Sequence, residues 1–91
     1  MVTSIVLINT ERGSVNTVAE QIAGMEGVSE VYSVSGNYDL IAIIRVQDND
    51  ALANLVTTHL RSIEAITQTE TMLAFKAFSK HDLETMFSIG L

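Results

Sequence analysis

The 91 residues predict a single α+β domain in which two βαβ units follow one another. Three observations carry that expectation. Short β-branched or aliphatic runs recur along the chain, two stretches between them carry apolar residues at helical spacing, and no proline-rich or low-complexity linker divides them.

Residues 3–10 (TSIVLINT) are apolar on both parities at Ile5, Val6, Leu7 and Ile8, as a strand covered on two faces would be. A loop, Glu11-Arg12-Gly13, leads to Ser14, a candidate helix N-cap. Val15, Val18, Ala19, Ile22 and Met25 then give an amphipathic helix, with Gly24 and Gly27 to end it. A second strand is expected over residues 28–35 and a third over 38–46, joined through Ser35-Gly36-Asn37. A connector that short, with Gly and Asn, signals an antiparallel hairpin. Asp48 or Asp50 is positioned to cap a second helix, whose apolar side is Leu52, Leu55, Val56, Leu60 and Ile63. A fourth strand is expected over about residues 65–78. Leu83, Met86 and Phe87 in the tail predict a short closing helix within residues 80–91.

The order is therefore βαββαβ, and VAEQIAGMEGVSEV echoes LANLVTTHLRSIEAI about 35 residues later in the chain. Two such units joined by a hairpin make a ferredoxin-like sandwich, with four antiparallel strands and both helices on one face. The central strands are nevertheless apolar on both faces. An aliphatic sheet face left bare would invite aggregation, so two sheets are expected to pack together as a dimeric α/β barrel.

Composition narrows the function. The chain is 47% hydrophobic with a mean hydropathy of +0.30, yet its longest aliphatic run, Leu40 to Ile44, falls far short of the ~20 residues that span a bilayer. The start of the sequence shows no export signal, so a cytoplasmic protein without a membrane role is expected. There is no cysteine, which removes disulfides, thiolate metal sites and cysteine nucleophiles. The net charge is −6, and the cations Arg12, Arg45, Arg61, Lys76 and Lys80 are scattered, so direct nucleic-acid binding is not expected.

No catalytic motif, metal-spaced histidine pair or nucleotide loop is present, and no cofactor is implied. His59 reads as an ordinary helix residue. His81, Asp82 and Glu84 read as the polar start of the closing helix sooner than as metal ligands. Two segments suggest binding. In Ser35-Gly36-Asn37-Tyr38-Asp39, backbone N–H groups freed by Gly36 suit a carboxylate and Asp39 suits an ammonium group; the plain alternative is a hairpin turn. Thr67, Thr69 and Thr71 share one face of the last strand, opposite Gln68 and Glu70. They line a polar pocket, mediate contact between subunits, or simply occupy a solvated face.

The stretch VYSVSGNYDLIAIIRV, a strand ending in Gly-x-Tyr-Asp and followed at once by an aliphatic strand, resembles the effector-binding (RAM) domain of the Lrp/AsnC transcriptional regulators. AITQTETMLAF resembles that family's last strand with its Thr-x-Thr segment. The resemblance covers essentially all of residues 1–91 as one ligand-binding domain. It implies a sheet-to-sheet homodimer that assembles into tetramers, octamers or rings, and a small effector, typically an amino acid, held between dimers. By position that site is Gly36, Asn37, Tyr38 and Asp39, with Thr69 and Thr71. The family's helix-turn-helix domain has no counterpart in the sequence, so a stand-alone module is expected. It would act in transcriptional or metabolic regulation by joining a full-length Lrp/AsnC regulator or another partner. The competing expectation is a small dimeric α+β barrel enzyme of the monooxygenase or isomerase type, for which His59 and Arg45 are the inward candidates.

Overall fold

The computed structural model describes residues 1–80, so the expected closing helix, with His81, Asp82 and Glu84, lies outside the described residues. The strands are β1 (Val2–Thr10), β2 (Val28–Ser33), β3 (Leu40–Val46) and β4 (Ile66–Leu73). The helices are α1 (Val15–Ala23) and α2 (Asn49–Asn54). The sheet runs β2-β3-β1-β4 with every neighbouring pair antiparallel, which is the ferredoxin-like arrangement.

Strand alternation sorts the sheet into two faces. On one, Val6 and Ile8 of β1 and Leu40, Ala42 and Ile44 of β3 are fully buried beneath Val18 and Ile22 of α1. Leu55, Leu60 and Ile63 complete that core from the α2 side. Ser4 is the one buried polar residue among those described, and its hydroxyl donates to the Met72 carbonyl at 2.7 Å. On the other face lie Ile5, Leu7, Ile41 and Ile43, paired across the β1–β3 ladder and only partly buried because no helix covers them. The two-sided apolar pattern read from the sequence is thus real, and half of it is left open.

The expected elements stand, with changed ends. Ser14 occupies the N-cap of α1 without a side-chain capping bond, whereas the Asp48 carboxylate caps α2 by accepting from the Ala51 N–H at 2.8 Å. Gly24 closes α1 in a right-handed conformation. The left-handed residue is Gly27, at φ +95°, and its carbonyl accepts from the Arg45 N–H at 2.8 Å. From Leu55 to Leu60 the second helix continues as a π-helical turn. Within it Thr57 donates its hydroxyl back to the Ala53 carbonyl at 2.6 Å, a bond that competes with regular helix pairing. The fourth strand ends at Leu73 instead of Phe78, since β1 starts at Val2 and soon runs out as a partner. The expected three-residue hairpin connector is a longer turn over residues 34–39, because the pairing of β2 with β3 stops at Ser33 and Leu40.

Candidate functional site

The turn over residues 34–39 is bound to the sheet at several points. The Val34 N–H donates to the Asp39 carbonyl at 3.0 Å, and the Asp39 N–H donates to the Ile8 carbonyl at 3.0 Å. The Asp39 carboxylate accepts the Thr10 N–H at 2.9 Å, tying the turn to the end of β1. Asp39 therefore ties the turn to the sheet through both its backbone and its side chain. Gly36 has φ +113°, and a Cβ built there would meet nothing within 4 Å. Its freedom is needed for the backbone angle and not for space. Asn37 does not share that conformation, since among the described residues only glycines have positive φ.

Ser35, Gly36 and Asn37 are exposed, and Tyr38 is half-buried. Ser33, Val34, Ser35, Asn37 and Tyr38 border a cavity of about 580 Å³ floored by Leu7 and Ile41 on the uncovered sheet face. The Tyr38 hydroxyl donates to Glu70 Oε2 at 2.5 Å. That bond, then burial and the carboxylate's charge, hold the Tyr38 phenol above its ordinary pKa of 10.0, so it remains a donor at neutral pH. At the opposite edge of the same face Tyr32 donates to Glu30, with the same effect on its phenol.

Thr69 pairs with Ile8 and Thr71 with Val6, so both threonines lie on the helix-covered side of the sheet. Glu70, which pairs with Leu7, lies on the open side. Within one chain the structure therefore does not unite the expected site residues: Gly36, Asn37, Tyr38 and Asp39 cluster at the turn, while Thr69 and Thr71 lie behind the sheet. A second cavity, of about 370 Å³, lies between the π-helical turn and β4, bordered by Thr57, Arg61, Thr67 and Thr69 over Leu60 and Ile66. The sequence pattern placed the threonines on one face but gave no sign of Arg61 beside them. It also missed Glu70 as the partner of Tyr38, a pairing visible only once the β1–β4 register is known.

His59 and Arg45 are both exposed, and both border a cavity of about 390 Å³ between the second helix and the end of β3. The described core between helices and sheet is aliphatic apart from Ser4. Among the described residues, no three His, Asp or Glu side chains group as metal ligands, and no helix is long and apolar enough to cross a membrane.

Removing the Asp39 carboxylate tests its bond directly. Asp39→Ala is expected to lower the unfolding free energy by about 1–3 kcal/mol, the usual worth of a hydrogen bond to a charged group. Urea denaturation measures this, and a loss below ~0.5 kcal/mol would show that the turn stands without it.

The sequence model of the Lrp/AsnC ligand binding domain matches residues 3–83. A helix-turn-helix-type transcriptional regulator of Pyrococcus horikoshii is 41% identical over 58 residues, which are 64% of this chain and 39% of that protein. The chain thus matches well under half the length of that regulator. The crystal structure of TTHA0845 from Thermus thermophilus superposes with a TM-score of 0.83 at 42% identity, covering 88% of this chain and 100% of that one. A transcriptional regulator from Neisseria meningitidis, solved as a complex with L-Met, has the same fold at 12% identity, with a TM-score of 0.77 over 86% of this chain and 52% of that one.

Proposed function

Because this chain belongs to the Lrp/AsnC ligand binding domain family, we propose that it is a small-molecule sensor whose ligand, an amino acid, binds at the turn of residues 34–39 and controls assembly. The observation that carries this reading is the turn itself. Gly36 holds the left-handed backbone, Asp39 fastens the turn to β1, and the exposed Ser35 and Asn37 border a cavity with the half-buried Tyr38. Exposed N–H groups suit a carboxylate. The Neisseria relative, as an L-Met complex, offers a precedent for the ligand class.

Two chains pack through their open sheet faces, each covering the other's Ile5, Leu7, Ile41 and Ile43, and such dimers assemble into tetramers, octamers or rings. Thr69 and Thr71 then complete the site only from a neighbouring chain, consistent with a ligand held between dimers. A ligand touching two chains favours the assembly that brings them together, whereas equal affinity for both states would shift nothing. The regulatory output would be transcriptional or metabolic, through a full-length Lrp/AsnC regulator or another protein partner, in the cytoplasm. Direct operator binding is not expected from a chain of net charge −6. The enzyme reading is set aside because the relatives are named as transcriptional regulators.

Light-scattering mass after size exclusion, run with each common amino acid in turn, tests the proposal. One or a few amino acids are expected to change the assembled mass. A constant mass, together with no heat of binding by calorimetry across the panel, would overturn the amino-acid reading.

A further inference from the structure

Arg61 stands at a cavity without a counter-charge. The space of about 370 Å³ between the π-helical turn and β4 is bordered by Arg61 and, among the described residues, by no carboxylate. The other two cavities differ from it. At the end of β3, Glu26 accompanies Arg45 and His59 around the space of about 390 Å³, and the cavity at the turn of residues 34–39 is bordered by no charged side chain. In a chain with eleven carboxylates and five cations, a cavity lined by an uncompensated guanidinium is set apart by its charge.

Local structure delivers Arg61 to this place. It directly follows the π-helical turn Leu55–Leu60, a winding met frequently at functional sites. Thr67 and Thr69 border the same cavity from β4. Thr57 borders it too, but its proton is given to the Ala53 carbonyl, so it offers only lone pairs. The guanidinium, the Gln68 amide and the two β4 hydroxyls remain as donors, a set that suits an oxyanion.

We propose that the ligand carries a second anionic group besides its α-carboxylate, received by Arg61 with Thr67 and Thr69, so that its class is the acidic amino acids. The inference rests on the ligand site proposed above, in which Thr69 reaches the turn of a neighbouring chain. Arg61 borders the same cavity as Thr69 and comes with it. The turn then takes the α-carboxylate on its exposed N–H groups, and Arg61 takes the side-chain carboxylate as a forked, charge-assisted pair. An amide of equal size forms no such pair, because its NH2 group would face the donors of the guanidinium.

Calorimetry on the intact chain, with L-aspartate and L-glutamate against L-asparagine and L-glutamine, tests this. At least one acid is expected to bind about tenfold tighter than its own amide, the worth of a hydrogen bond to a charged group. In Arg61→Gln the ratio of acid to amide affinity is expected to fall to about one, while Arg61→Lys keeps part of it as a point charge. Arg61 is exposed, so both variants should fold, which circular dichroism checks. Amides that bind as well as their acids, or an Arg61→Gln chain that keeps the parent's ratio, would overturn the inference. If a neutral amino acid alone binds and changes the assembled mass, the sensor stands and only the anionic group is refuted. If no amino acid binds, both fall.

Discussion

Gly27→Ala is expected to cost about 2–5 kcal/mol of unfolding free energy. Two independent effects add. Gly27 has φ +95°, where an L side chain meets its own backbone at roughly 1–2 kcal/mol. A Cβ at that position would also stand 2.8 Å from Val46 Cγ1 and 3.5 Å from Leu55 Cδ2. Val46 lies on β3, next to the Arg45 whose amide bonds the Gly27 carbonyl, so relief by moving β3 would loosen that bond. Overpacking of this kind typically costs a further ~1–3 kcal/mol. Urea unfolding monitored by circular dichroism measures the sum. Gly36→Ala is the control: it meets the same backbone penalty with no atom within 4 Å, so it should cost clearly less. Equal losses at both glycines would show that the contact with Val46 contributes nothing.

The second large effect concerns association. Ile43 faces Ile5 across the β1–β3 ladder on the open side, and it is partly buried even in the single chain. If that side packs against its counterpart, Ile43→Glu buries a carboxylate in an aliphatic interface. Burying an unpaired charge costs several kcal/mol, so association should weaken by more than ~100-fold. Sedimentation equilibrium is expected to show a monomer at concentrations where the parent chain is dimeric. The monomer should keep its fold, because the core beneath the helices, from Val6 and Ile8 to Ile22 and Leu60, is untouched. A variant that stays dimeric with the parent's affinity would move the interface off this face.

The sequence made the topology legible because burial leaves strong periodic signals. Ile5 to Ile8 and Leu40 to Ile44 are apolar on both parities, and those strands sit in the middle of the sheet. The helix faces were equally plain, since Val18, Ile22, Leu55 and Leu60 recur at helical spacing and all are buried. The ends were harder, because a strand ends where its neighbour does. Nothing local in AFKAF announces that β1 has already run out, and nothing in LVTTHL announces a π-helical turn. The site was half legible. Gly-x-Tyr-Asp marked the turn, and Gly36 has the backbone angle that only glycine adopts easily. The bond between Tyr38 and Glu70 joins residues 32 positions apart through a register that composition does not encode. Likewise, Thr69 and Thr71 have the right chemistry, but alternation from Ile8 and Val6 sends them behind the sheet.

The anchoring of Asp39 has a mechanical side. Its carboxylate holds the Thr10 amide, the next amide along, that of Glu11, donates to the Ala65 carbonyl at 2.7 Å, and the Glu11 carbonyl accepts the Ser14 N–H at 3.0 Å. Thr10 and Glu11 are thus a rivet through which the turn, the first residues of β4 and the entry to α1 are all fastened. Whatever tugs on residues 34–39 pulls against that rivet and not against a free loop tip. The turn that borders one cavity and the start of β4 beside another, on opposite faces of the sheet, are consequently fastened to the same two residues.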